Sequence, residues 1–126
     1  MSKIIYKDLS YEIVGAIFEV YNELGYGFKE RYYEDAIVKE LRLRGVKYKR
    51  QVSYDLVYKG EKIGRHQLDF LIENKIIVEL KIGEFYSKRS IRQVNQYLKV
   101  SDLKLAILIN ITQSGVRFKR ILNINN

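Results

Sequence analysis

"DFLIENKIIVELK", residues 69–81, reads as a strand, a tight turn and a second strand. β-Branched and aliphatic residues fill both arms, the composition of a buried, pleated surface. Asp69, Glu79 and Lys81 interrupt it. A buried charge costs several kcal/mol unless something compensates it, so charged groups in the most apolar hairpin need a reason. Side chains alternate along a strand. Ile77, Glu79 and Lys81 therefore share one face of "KIIVELK", and Ile76, Val78 and Leu80 the other. In "HQLDFLI", residues 66–72, Asp69 shares a face with Gln67 and Leu71, while His66 falls on the opposite face and reads as structural. If Glu73, Asn74 and Lys75 form the turn, Asp69 stands directly opposite Glu79, and both point to the same side of the sheet. Two carboxylates that close repel unless one is protonated or a cation lies between them. A divalent ion is the natural compensation; the competing reading is an ordinary ion pair between Lys81 and one acid.

Outward from the hairpin, the hydrophobic period assigns the remaining elements. Ile13, Ile17, Val20, Tyr21 and Leu24 give a helix over 9–24, with Ser10 as expected N-cap and Gly25 as its stop. A second helix is expected over 30–44, closed by Gly45. The period then becomes two. "VSYDLVY" (52–58) reads as a half-buried strand, and "KGEKIG" (59–64) as the turn before the strand holding Asp69. Ile91, Val94 and Leu98 give a helix over 90–100, capped by Ser87 or Ser90. "KLAILINI" (104–111) is nearly all apolar, as a strand covered on both faces would be. "VRFKRILNI" (116–124) reads as an edge strand because Arg117, Lys119 and Arg120 decorate it, and "NINN" (123–126) is expected to fray. The order predicts one domain over residues 1–126. Its class is α/β, with a mixed sheet made of an antiparallel meander plus a crossover strand and flanked by helices.

Composition narrows the chemistry. The chain has 126 residues, 47% hydrophobic and 30% charged, enough for one core. There is no cysteine, which excludes disulfides, thiolate zinc sites and cysteine nucleophiles. The single histidine, His66, excludes a multi-histidine site within one chain. A metal here would be held mainly by carboxylates and carbonyls, which suits magnesium or manganese. No apolar run approaches the roughly 20 residues that span a bilayer, and "MSKIIYKDLS" lacks a signal-peptide core. The expectation is a cytoplasmic protein without membrane association. Net charge is +8, and it is uneven: residues 1–38 carry −3 and residues 39–126 carry +11. A basic surface around a small acidic centre suits a phosphate-backbone binder; solubility alone is the competing explanation.

Asp69, nine intervening residues and then Glu79-Leu80-Lys81 resemble the PD-(D/E)XK nuclease motif, although Leu68 stands where the motif has proline. Gly27, Glu30 and Tyr33 in "GFKERYY" are similar to the signature of the bacterial GxxExxY family within that superfamily. Gln93 and Tyr97 in "QVNQY" resemble the Q-x-x-x-Y element of its exonuclease-like members. The resemblance covers essentially the whole chain. It implies a restriction-endonuclease-like core and a nuclease that hydrolyses DNA with Mg2+ or Mn2+.

By that resemblance Asp69 and Glu79 bind the metal, with the Leu80 carbonyl as a further ligand and Lys81 as the catalytic amine. Glu30 reaches the site directly or through water; the competing reading is a first-turn acid answering the helix dipole. Tyr33 shares the Glu30 face and reads as core packing. Gln93 and Tyr97 would brace Lys81 or contact a phosphate, against a plain polar pair on a helix surface. Lys88, Arg89 and Arg92 are the candidates for DNA phosphate contacts, with Ser87 as a nearby donor. A non-catalytic nucleic-acid-binding module and an interaction subunit stay open as alternatives. So does a homodimer or a partner protein that helps so small a domain grip a duplex.

Overall fold

A computed structural model describes residues 4–83 and 88–123, and within them the chain forms three helices and one five-stranded sheet. Helices α1 (Lys7–Leu24) and α2 (Glu30–Leu43) precede β1 (Tyr48–Tyr58), β2 (Glu61–Ile72) and β3 (Ile76–Ile82). Helix α3 (Lys88–Ser101) leads to β4 (Leu105–Thr112) and β5 (Gly115–Leu122). The strands lie in sequence order, β1-β2-β3-β4-β5. β1, β2 and β3 form the antiparallel meander, and α3 crosses over to make β4 parallel to β3. β5 returns antiparallel along the edge.

Each face of the sheet owns its own core. Ile13, Ile17, Tyr33, Ile37 and Leu41 of α1 and α2 pack on Phe70, Ile72, Val78, Leu80, Ile107 and Ile109. Val94, Tyr97 and Leu98 of α3 pack on Leu68, Leu71, Ile77, Ala106 and Leu108. All eight residues of β4 are buried, as its unbroken apolar run requires.

The β2–β3 turn is the expected three residues. Glu73 (φ 52°) and Asn74 (φ 56°) are both left-handed, as a type I′ turn demands, and Lys75 N–H closes it on Ile72 O at 2.9 Å. The Glu73 carboxylate accepts from Lys47 N–H at 2.9 Å, which ties the turn to the start of β1. Ile72 then pairs with Ile76, Leu71 with Ile77 and Phe70 with Val78. Continued by one pair, that register sets Asp69 against Glu79.

Further along, β2 changes phase. Phe70 and Ile72 face α1 and α2, yet Leu68 packs in the α3 layer, although a regular strand would put all three on one face. β1 switches with it: Tyr48 packs with the first core, Val52 and Tyr54 with the second. The switch falls at Asp69 and at Gln51, the residue facing it in the β1–β2 register. Gln51 has φ 51°, in the left-handed region that few non-glycine residues adopt. Irregularities of this kind re-aim side chains.

Several sequence expectations are corrected. Ser10 does not cap α1, which starts at Lys7 after Tyr6; it is buried in the first turns instead. Ser90 lies inside α3, and Ser87 lies outside the described residues. β1 and β2 are longer than alternation alone indicates, and only Lys59 and Gly60 turn the chain between them. Asn123 does not fray: its amide donates to Leu98 O at 3.0 Å and Leu103 O at 2.9 Å, while residues 124–126 lie outside the described residues. Among the described residues no helix is long and apolar enough to cross a membrane.

Because β4 is covered on both faces, Ile107→Ala is expected to cost about 2–5 kcal/mol in urea denaturation. Val57→Ala, on the exposed end of β1, should change stability by less than about 0.5 kcal/mol.

Candidate active site

At the phase break the two acids of the opening stretch interlock through the backbone. Asp69 N–H donates to Glu79 Oε1 at 2.8 Å, and Leu80 N–H donates to Asp69 Oδ2 at 2.8 Å. Each carboxylate therefore occupies hydrogen-bonding capacity of the opposite strand, where a regular ladder would pair peptide with peptide. Glu79 is 4% exposed, and Asp69 is half-buried. Lys81, two residues on and on the Glu79 side, is half-buried too.

The electrostatics are those of two acids that cannot both ionise without a cation between them. Burial, then the Asp69 charge, push the Glu79 carboxyl up to about 8 from an ordinary 4.5. Burial also raises Asp69, against the lowering effects of the Leu80 N–H bond and the Lys81 charge. Lys81 attracts both acids, but among the described residues no salt bridge joins it to either. The ordinary ion-pair reading of the hairpin lacks its ion pair.

Helix α2 adds two more acids. Glu30 opens the helix half-buried, and its pKa is raised by burial and by the Asp69 charge. Its role as a bare first-turn acid does not account for that coupling. Glu34, one turn on, is raised by the same two causes in the same order. The sequence reading passed over Glu34, although its i, i+4 spacing from Glu30 placed it on the same face. Its Oε1 accepts from Gln51 Nε2 at 3.1 Å, and Arg50 Nη2 lies 3.6 Å away. Glu34 thus holds the left-handed Gln51, and with it the strand break opposite Asp69. Tyr33 is fully buried and donates from its hydroxyl to Gly25 O at 2.5 Å, pinning the α1–α2 loop ahead of Glu30.

From the other face comes α3. Tyr97 is buried rather than part of a surface pair, and its hydroxyl donates to Gln67 O at 2.7 Å. Burial and the charges of Glu79 and Asp69 push that hydroxyl up to about 12, and Gln93 hydrogen-bonds it. His66 is on this face as well. It packs edge-on against Tyr97 with ring centroids 5.4 Å apart, because the phase break turns residues 66 and 68 towards α3. With Arg89, Arg92, Gln93 and Gln96 it lines an open cleft of about 490 Å³. Lys88, Arg89 and Arg92 are all exposed on α3. Gln93 of this cleft hydrogen-bonds the Tyr97 hydroxyl, which in turn feels the charges of both acids.

Comparison with known proteins agrees with this fold. A family model for the PD-(D/E)XK nuclease superfamily matches residues 7–121. The chain belongs to that superfamily. No curated protein matches it. Among solved structures, an alkaline exonuclease (LHK-Exo) from Laribacter hongkongensis superposes with a TM-score of 0.56 at 9% identity, over 99% of this chain and 73% of that one. The structure of SSO0001 superposes with a TM-score of 0.51 at 16% identity, over 95% and 78%. At such identities the likeness is one of fold, and the fold is the restriction-endonuclease-like α/β core.

Among the described residues no group of three or more histidine or carboxylate side chains is assembled to hold a metal ion. The donors that do fit one are Asp69 and Glu79: hard oxygens in a desolvated, mutually repelling pair, which a divalent cation would relieve.

The raised Glu79 pKa carries a stability signature in metal-free protein. The folded state binds a proton that the unfolded state releases above about 4.5, so stability is full at low pH and falls as pH rises towards 8. Thermal melts in chelator should decline across that window, by on the order of a few kcal/mol. Glu79→Gln, which keeps an acceptor for Asp69 N–H, should flatten the decline and melt higher than wild type at pH 8.

Proposed function

We propose that the chain is a divalent-metal-dependent nuclease that hydrolyses phosphodiester bonds of DNA. The observation that carries this reading is the desolvated Asp69–Glu79 pair beside an amine that pairs with neither acid. Two acids buried together cost the fold stability unless a cation joins them. Gly27, Glu30 and Tyr33 add support for the GxxExxY branch. Gly27 has φ 117°, Tyr33 pins the loop, and Glu30 opens its helix in reach of the Asp69 charge.

Asp69 and Glu79 would hold Mg2+ or Mn2+, with the Leu80 carbonyl and Glu30, directly or through water, as further donors. When bound, the ion supplies Lewis-acid polarisation of a phosphoryl oxygen. Lys81 orients the attacking water and donates hydrogen bonds to the charge that builds on the phosphoryl oxygens. Tyr97, anchored on Gln67 O and hydrogen-bonded by Gln93, keeps the wall of the site fixed behind Glu79. Lys88, Arg89 and Arg92 take the DNA backbone in the cleft alongside.

A second reading has its own observation. Both acids already accept backbone N–H bonds, which suits a nucleic-acid-binding module without cleavage.

Supercoiled, linear and single-stranded DNA incubated with Mn2+ separates the two. Wild type should cleave at least one substrate, and Lys81→Ala should lower the rate roughly a hundredfold or more while keeping DNA affinity. Arg89→Ala should weaken binding on every sequence and lower the salt slope by about one counterion. Equal cleavage by wild type and Lys81→Ala, or none by either, would leave the binding-module reading.

A further inference from the structure

Among the described residues the sheet ends at β5, which pairs with β4 on one side only. Helix α1 reaches over that edge. Its core stripe is Ile13, Ala16, Ile17 and Val20, but Tyr11, Val14 and Phe18 form a second stripe at helical spacing. Tyr11 is 80% exposed and Phe18 40%, and Phe118 of β5 is 45% exposed opposite them. Together they wall a groove of about 690 Å³. Among the described residues two buried polar atoms in its walls have no hydrogen-bond partner, Ser10 Oγ and Arg120 Nε, although Arg120 Nη2 donates to Ile5 O; Ser10 is 7% exposed. Exposed aromatics, orphaned polar atoms and an unpaired strand edge coincide here.

We propose that this edge docks an extended, acidic segment of a partner protein, which joins the sheet as a sixth strand beside β5. Main-chain pairing would supply affinity, and alternate side chains specificity. Phe118 and Arg120 face the groove, so Arg117 and Lys119 stand on the opposite face of β5. An added strand has the same alternation. Its groove-facing residues must be apolar to cover Tyr11, Phe18 and Phe118. Its other residues lie beside Lys119 on a chain of net charge +8 and are acidic, because opposite charges stabilise a cross-strand pair. A main-chain or side-chain acceptor in the groove also gives Arg120 Nε its partner. A second copy of this chain fits poorly. Each chain already carries +8, so two copies edge to edge would repel. The site lies two strands from Glu79 and does not depend on the nuclease reading.

Fluorescence anisotropy with the full chain tests it, using a labelled seven-residue peptide that alternates glutamate with valine and phenylalanine. The peptide should bind saturably. Tyr11→Asp and Phe118→Asp, both at exposed positions, should weaken it roughly tenfold or more with unchanged circular dichroism. A version with lysine for glutamate should not bind, nor should one N-methylated along the edge facing β5. No binding of the acidic peptide, or equal binding of the lysine peptide, overturns the proposal. So does a wild-type dimer in light scattering that Phe118→Asp converts to monomer, since a second copy is then the occupant. Competition of the peptide by duplex DNA that Tyr11→Asp leaves unchanged would instead make the edge a nucleic-acid surface, and overturns it too.

Discussion

Two carboxylates share one low-dielectric place, and the arrangement of the rest of the chain around them answers to that constraint. Asp69 and Glu79 repel, lose hydration and gain only backbone N–H bonds in return. Left unpaired, such groups would cost the fold several kcal/mol. The chain tolerates them because both faces of the sheet are otherwise packed with aliphatic side chains, and because β4 behind them is buried from end to end. The destabilisation is local, and the scaffold that bears it is rigid.

The same constraint explains the irregular backbone. A perfectly alternating β2 would keep Leu68, Phe70 and Ile72 on one face and leave Asp69 as an ordinary member of the other. The phase change at Asp69 and the left-handed Gln51 facing it break that symmetry, and Glu34 holds the break from α2. Helix α2 thereby contributes twice to the acids, through Glu30 as a charge and through Glu34 as a brace. Helix α3 closes the other side with Tyr97, whose hydroxyl is anchored on the strand just before Asp69. Local strain at a functional site, borne by a regular surround, is a familiar division of labour.

Much of this was readable from residue order. Periods of 3.6 and 2 located every described helix and strand, the unbroken run "KLAILINI" identified the doubly covered strand, and turn length set the register as far as Phe70 and Val78, the pair next to Asp69 and Glu79. What failed did so for local physical reasons. Ser10 and Ser90 have N-cap chemistry, but the helices extend past them, because the packing of α1 and α3 extends the helical segments beyond the residues that would cap them. The face of His66 was misassigned because alternation was carried straight through Asp69, and no residue type announces a break there: Gln51 is not glycine. The competing reading of Tyr97 as half of a surface pair could not be dismissed from spacing, because a tyrosine at the edge of an apolar stripe has the same spacing whether buried or exposed. Superfamily membership and fold were both within reach of the sequence; the brace through Glu34 needed coordinates.

The central claim is that the acid pair exists to hold a divalent ion. Electron paramagnetic resonance of free Mn2+ titrated with the protein tests it without reference to any substrate. The account predicts that wild type removes a single ion per chain from the free signal, that Mg2+ competes for it, and that Asp69→Asn abolishes the binding. An unchanged free Mn2+ signal at millimolar metal, or full binding by Asp69→Asn, would contradict it.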